Sequence, residues 1–194
     1  MSHPKLSVLI PAAGTSERLG QAKQLVSYRG KPLLQNTVNT ASSIGPGEIL
    51  VVTGANASKV RESVSHPLVR WIHNADWPGG MGGSIATGAA AIVPDSDGLM
   101  VLLCDQWRIE EQDLRNLAET WQSNPDQIVC AHVEGVNMPP VIFPSACLDQ
   151  LRELDGSQGA RSLIKANTDI LTMVEIKNAV FDLDTKTQLD KLNK

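Results

Sequence analysis

Apolar positions come in two spacings along this chain. Short runs of β-branched and aliphatic residues (Leu6–Ile10, Glu48–Val52, Val69–Ile72, Leu99–Leu103 and Gln127–Val133) have the length of single strands. Longer amphipathic stretches lie between them. They run over Leu33–Ile44, closed by Gly45-Pro46-Gly47, and from Asn56, the expected N-cap, towards Ser65. Two more are Ser84–Val93, rich in small residues, and Glu110–Gln122. Strand then helix, repeated at this spacing, predicts an α/β fold: a parallel sheet with helices on both faces. Beyond residue 135 the alternation loosens into an edge strand at Val141–Phe143, two short helices and a strand near Val174. Phe181–Asp184 then leads into a final helix. No repeat or linker divides the chain, so one domain over residues 1–194 is expected.

Composition changes this picture little. Aromatic residues are 4% of 194, so the core must be built from Val, Ile, Leu and Ala. The net charge of −4, with no basic stripe, argues against a nucleic-acid partner bound through phosphate neutralisation. Cys104, Cys130 and Cys147 are odd in number and far apart, without the spacing of a zinc site or a disulfide framework. No apolar run approaches bilayer length, and the one near the N-terminus is too short for a signal-peptide core. A cytoplasmic protein with no membrane association is expected.

Candidate chemistry begins where the first strand ends. Pro11-Ala12-Ala13-Gly14-Thr15-Ser16-Glu17-Arg18-Leu19-Gly20-Gln21-Ala22-Lys23 lies where open α/β sheets bind ligands. Small residues there let backbone N–H groups approach a phosphate, while Arg18 and Lys23 can neutralise a departing pyrophosphate. Five residues separate Gly14 from Gly20, which rules out a Walker A loop, and Ser16 breaks a G-x-G-x-x-G dinucleotide fingerprint. Spacing alone fits an ordinary βα turn with a surface lysine equally well.

A second glycine-rich stretch, Asn74-Ala75-Asp76-Trp77-Pro78-Gly79-Gly80-Met81-Gly82-Gly83-Ser84, precedes the small-residue helix, with Ser84 as its expected cap. It serves a nucleotide, close packing of that helix on the sheet, or both at once, since each needs the same small residues. Asp105 follows the most hydrophobic strand, a poor place for a surface carboxylate and a good one for a Mg²⁺ ligand; a cap for the next turn is the other reading. Asp182 and Asp184, two apart on an expected strand, would share a face, and either could join Asp105; an N-cap role for Asp184 or Thr185 is the other reading. The four histidines are scattered without metal-ligand spacing.

Together these segments resemble the molybdenum cofactor nucleotidyltransferases. Ala12-Ala13-Gly14, with Ser16, Arg18 and Lys23, is similar to the signature loop of the cytidylyltransferase branch, whereas the guanylyltransferase branch carries Ala-Gly-Gly. Cys104-Asp105-Gln106 resembles the family's Cys-Asp-Gln-Pro box, with Trp107 in place of Pro. Asp182-Leu183-Asp184-Thr185 resembles its C-terminal Asp-(Ile/Val)-Asp-Thr-Pro element, with Lys186 in place of Pro. Pro139-Pro140-Val141-Ile142-Phe143 looks like the strand flanking the acceptor pocket, but Asn137-Met138 replaces the usual glycine motif. Gly156-Ser157-Gln158-Gly159-Ala160-Arg161 is similar to a Gly-Asp-x-Gly-Ala-Arg turn, with Ser157 for Asp.

The resemblance implies a three-layer Rossmann-like nucleotide-diphospho-sugar transferase fold with a mostly parallel central sheet. It also implies a Mg²⁺-dependent transfer of CMP from CTP to molybdopterin, with a recipient molybdenum enzyme as a further partner. Ala12, Ala13, Gly14, Thr15, Ser16, Arg18 and Lys23 would bind the nucleotide with Gly80, Met81, Gly82, Gly83 and Ser84. Lys23, Arg18 and Asp105 would be catalytic, and Asp105 with Asp182 or Asp184 would hold the metal. Arg161 and Pro140 would meet the acceptor, although Arg161 fits a structural residue at a helix start equally well. Two rivals are a same-fold transferase for GTP or a sugar phosphate, and a non-catalytic carrier of the molybdenum cofactor.

Overall fold

The computed structural model describes residues 4–156 and 158–192. Its first strand, β1 (Leu6–Ala12), is fully apolar on both faces apart from Ser7, as a central parallel strand must be. It is flanked by β4 (Glu48–Thr53) and β6 (Gly98–Val101), both parallel to it, and β5 (Val69–His73) lies outside β4. Across β6 the sheet continues through β8 (Val136–Pro144) and β7 (Ile128–Val133) to β9 (Leu171–Glu175) at the far edge. The order is β5-β4-β1-β6-β8-β7-β9, with β8 antiparallel to both neighbours. A two-stranded hairpin, β2 (Ser27–Tyr28) and β3 (Lys31–Pro32), stands apart from this sheet.

Alternation along β1 sorts its side chains into two cores. Leu6, Val8 and Ile10 pack with α1 (Leu33–Ser42), α2 (Ala57–Glu62) and α4 (Glu111–Ser123), through Leu34, Val38, Val60, Leu117 and the fully buried Trp121. Leu9 faces the other way, onto α3 (Met81–Ala90), α5 (Leu148–Arg152) and α6 (Ala160–Ala166), through Ile85, Ala89, Leu151 and Ile164. These are the three layers the hydrophobic pattern predicts. A third, smaller cluster joins Leu19 of the loop after β1 to Val26, Leu33 and Leu183, with Leu189 of α7 (Lys186–Leu192) against it. It fastens the C-terminal segment over the first loop.

Four expectations are corrected. The segment around Val141–Phe143 is no edge strand: β8 runs through the sheet interior. Its adjacent prolines, Pro139 and Pro140, are accommodated by a register shift opposite Cys130 and Ala131, which leaves both outside the paired register. Helix α3 begins at Met81, three residues before the expected cap. Ser84 therefore lies inside its first turn, where its hydroxyl accepts from Asn74 Nδ2 at 3.1 Å. Asn56 precedes α2 in a left-handed conformation, φ 55°, and its side chain makes no cap bond. Residues 181–184 form no strand, so the face-sharing argument for Asp182 and Asp184 does not apply. Elsewhere the cap chemistry is as the residue types suggest: Glu110 and Asp113 form a reciprocal capping box on α4. Among the described residues no helix is long and apolar enough to cross a membrane.

Candidate active site

From β1 the chain moves outward to β4 and β5, then returns on the other side of β1 as β6. The carboxyl ends of β1 and β6 therefore flank a topological switch point, where open α/β sheets leave a crevice. A cleft of about 530 Å³ opens there. Its walls are the loop after β1, the entry to α3, the Leu103–Asp105 segment after β6, and Asp184.

Polar bonds hold the first loop in shape. Ala55 N–H donates to Ala13 O at 2.9 Å, tying the loop to the end of β4. Gln24, only 3% exposed, donates from Nε2 to Ala12 O at 3.0 Å and to Gly14 O at 3.1 Å. Ser16 sits in the left-handed region at φ 60°. Its carbonyl accepts from Leu19 and Gly20, and its hydroxyl accepts the Lys23 backbone N–H at 3.2 Å. That turn carries Lys23 back under the loop and drops Leu19 into the small third core.

Lys23 Nζ then donates to Asp105 Oδ2 at 2.5 Å and to Asp184 Oδ1 at 2.9 Å. Arg18 reaches Asp184 Oδ2 at 3.3 Å from the solvent side. Burial disfavours the Lys23 ammonium, but the Asp105 charge and the bonds to both carboxylates outweigh it, so its pKa is raised. The hydrogen bond from Lys23, opposed by partial burial and helped by the Lys23 and Arg18 charges, depresses the pKa of Asp184. The neighbouring Cys104 thiol is pushed up to about 12 by burial and then by the Asp105 charge, so it is no nucleophile at neutral pH.

Asp105 itself is buried, and its Oδ1 has no hydrogen-bond partner among the described residues. Its backbone carbonyl accepts from Leu183 N–H at 3.0 Å, the contact that brings Asp184 to the cleft. Among the described residues no group of three or more His, Cys, Asp or Glu side chains clusters as a metal cage. The pair Asp105 and Asp184, facing one ammonium, is the available oxygen donor set, and a hard cation that keeps waters and phosphate oxygens needs no more.

Gly14, Thr15, Ser16, Arg18, Lys23, Ala13, Gly80, Met81, Ser84, Asp105 and Asp184 all line the cleft. Ala12 is buried below it, contributing only the carbonyl that Gln24 holds. Gly82 and Gly83 lie within α3 and do not line it. A side chain on Gly82 would overlap the carbonyl oxygens of Asp155 and Gln158, and one on Gly80 would overlap Gly156 O, so close packing fixes these glycines. Asp182 is exposed and accepts from Gln188 Nε2 at 3.1 Å, apart from the cluster around Lys23. Pro140 is buried within β8, and Arg161 is exposed in the first turn of α6; neither lines the cleft. Ser157 lies outside the described residues. Gln24 lines the cleft without having been singled out, and Trp77 lines it as a member of the second glycine-rich stretch. Position 24 beside the loop lysine was a signal for the first. The second is held where the missing Cβ of Gly54 leaves room for the indole, a contact no local pattern reveals.

The fold is an α/β nucleotidyltransferase fold, with the cleft at its topological switch point. The chain belongs to the family of MobA-like NTP transferase domains, whose model matches residues 8–170. It is 30% identical over 183 residues to the bifunctional protein GlmU of Legionella pneumophila, covering 90% of this chain but only 34% of that one. The chain thus spans about a third of the length of that relative. It is 28% identical to nicotine blue oxidoreductase of Paenarthrobacter nicotinovorans, over 97% of both chains. In structure it is similar to Rv0371c of Mycobacterium tuberculosis, with TM-score 0.86, 23% identity and 98% of both chains covered. The fold likewise matches that protein's complex with manganese, with TM-score 0.81, 21% identity and 98% of both chains covered.

Proposed function

We propose that this protein is a cytoplasmic, Mg²⁺-dependent nucleotidyltransferase that moves CMP from CTP onto molybdopterin carrying molybdenum, releasing pyrophosphate. The observation that carries the transfer reading is the cluster of Lys23, Asp105 and Asp184 in a cleft beside a loop whose backbone is open at Gly14. The choice of CTP and of a molybdopterin acceptor rests on the resemblance of Ala12-Ala13-Gly14 and Cys104-Asp105-Gln106 to the cytidylyltransferase motifs.

The residues fit a divalent cation. Asp105 Oδ1 is a buried acceptor without a partner, and Asp184 presents the second carboxylate. Asp105 and Asp184 hold the ion in this reading, and bound there it supplies charge neutralisation at the phosphates. The manganese complex of Rv0371c is in keeping with such an ion.

The loop from Gly14 to Ser16 approaches the triphosphate with backbone N–H groups, since no side chain at position 14 stands in the way. Lys23 and Arg18 neutralise the charge that grows on the departing pyrophosphate. The entry of α3, with Gly80, Met81 and Ser84, borders the nucleoside end, while Gly80 and Gly82 let that entry lie close to the turn before α6. The acceptor roles of Arg161 and Pro140 rest on the motif resemblance alone, since neither residue lines the cleft. An acceptor phosphate oxygen forms the new bond to the α-phosphorus as the bond to the β-phosphate oxygen breaks. Positioning and charge neutralisation supply the rate, with no covalent enzyme intermediate.

Calorimetric titration of CTP, GTP, ATP and UTP in Mg²⁺, on wild type and Asp105→Ala, tests this reading. Selective CTP binding that weakens in the variant, followed by pyrophosphate release when molybdopterin is added, is the expected result. The similarity to GlmU favours a second reading in which the same machinery takes another nucleotide or a sugar-phosphate acceptor. Preference for GTP or UTP would move the protein there. Binding of no nucleotide would leave the non-catalytic carrier of the molybdenum cofactor.

A further inference from the structure

The two carboxylates that fit a divalent cation already share one cation of the protein's own. Lys23 Nζ stands 2.5 Å from Asp105 Oδ2 and 2.9 Å from Asp184 Oδ1, so the ammonium occupies the position between them. Its side chain is 19% exposed, so the ammonium is held largely away from solvent between the two carboxylates. Among the four paired groups, Asp105, Asp184, Lys23 and Arg18, the two negative charges are matched by two positive ones, with Glu17 further out on the cleft wall. Such a site holds little attraction for a free dication while Lys23 stays. A triphosphate changes that, because it offers Lys23 and Arg18 another anion within the same cleft.

We infer that Lys23 is a resident counter-ion of the metal site, displaced onto the nucleotide phosphates when a divalent cation enters, so that metal and nucleotide each bind weakly alone and tightly together. The inference rests on the metal-nucleotide reading of the cleft given above. It adds a second task for Lys23, which keeps the carboxylates paired while the cleft is empty. It also accounts for the orphan Oδ1 of Asp105, since one ammonium covers only one oxygen of that carboxylate. Because coupling between two ligands is reciprocal, each must tighten the other by the same factor.

The test is titration of Mn²⁺ followed by electron paramagnetic resonance, with and without CTP, on wild type, Lys23→Met and Lys23→Arg. In wild type, CTP should tighten Mn²⁺ on the order of tenfold or more. Lys23→Met should bind Mn²⁺ alone about tenfold more tightly than wild type, because a like charge a few ångströms from the ion is gone. CTP should then add little. Lys23→Arg keeps the charge and should bind Mn²⁺ alone as weakly as wild type. Should Lys23→Met lose its near-ultraviolet circular dichroism, Lys23→Gln makes the same comparison with a polar side chain. Unchanged or weaker Mn²⁺ binding in a folded Lys23→Met or Lys23→Gln overturns the counter-ion role while leaving a metal-nucleotide site intact. If wild type binds neither Mn²⁺ nor CTP even when both are present, the functional reading itself fails, and this inference with it.

Discussion

Gly14, in the loop after β1, has open space where a Cβ would stand, whereas a Cβ on Gly82, in the first turn of α3, would overlap the carbonyl oxygens of Asp155 and Gln158. Both belong to glycine-rich stretches at the same cleft. The first stretch is shaped by polar bonds, from Gln24, Ser16 and Ala55, and leaves its own backbone uncovered. The second is filled from behind: Gly80 and Gly82 admit the turn that precedes α6. Glycine is thus spent on an absent neighbour in one place and on a present one in the other. Small residues near a ligand site are by themselves no sign of a ligand.

The predictions separate these two uses. Lys23→Ala should have the largest effect, lowering turnover by about 10³-fold, or ~4 kcal/mol in the barrier, as removal of a preorganised charge does. Steady-state pyrophosphate release measures it; full turnover would show that the first loop serves no phosphate. Gly82→Ala should come next, with unfolding stability falling by about 3 kcal/mol, because backbone rather than a flexible side chain must give way. Denaturant unfolding measures this, and an unchanged midpoint would erase the contrast between the two stretches.

Gly14→Ala should reverse that pattern. Its stability should stay within about 0.5 kcal/mol of wild type. Its CTP affinity should fall about tenfold, or ~1.4 kcal/mol, by crowding the phosphate approach. Loss of stability without loss of binding would make Gly14 another packing glycine.

The smallest effect is a pH dependence. The pKa of Asp184 is depressed, so its contribution to stability is present above the ordinary carboxylate value, about 4, and fades as pH falls through the depressed one. Wild type should therefore lose its small advantage over Asp184→Asn as pH drops from about 5 to 2 in matched melting curves. Lys23 has the opposite sign, its contribution being lost only as pH rises beyond the ordinary lysine value of 10.5. A gap between wild type and Asp184→Asn that widens in acid would contradict the observed pairing.

The alternation of apolar runs determined the layered α/β fold without help from tertiary contacts, because a buried parallel strand must be apolar on both faces and its crossover helix on one. It also placed Gly14, Lys23 and Asp105 near one another, since residues at strand ends and in βα loops gather on one edge of such a sheet. The site beyond those positions depended on distant parts of the chain. Asp184 rather than Asp182 meets Lys23 because Leu183 N–H bonds Asp105 O across 78 residues, and alternation on a strand that does not form could not foresee it. The interior position of β8 rests on a register shift around two prolines, which local propensity would send to an edge. Gly80 and Gly82 at the entry of α3 likewise pack against Asp155, Gly156 and Gln158, more than seventy residues later, neighbours that no local pattern names. Sequence pattern fixes what each segment must bury; which distant backbone occupies the space beside it is decided only when the layers close.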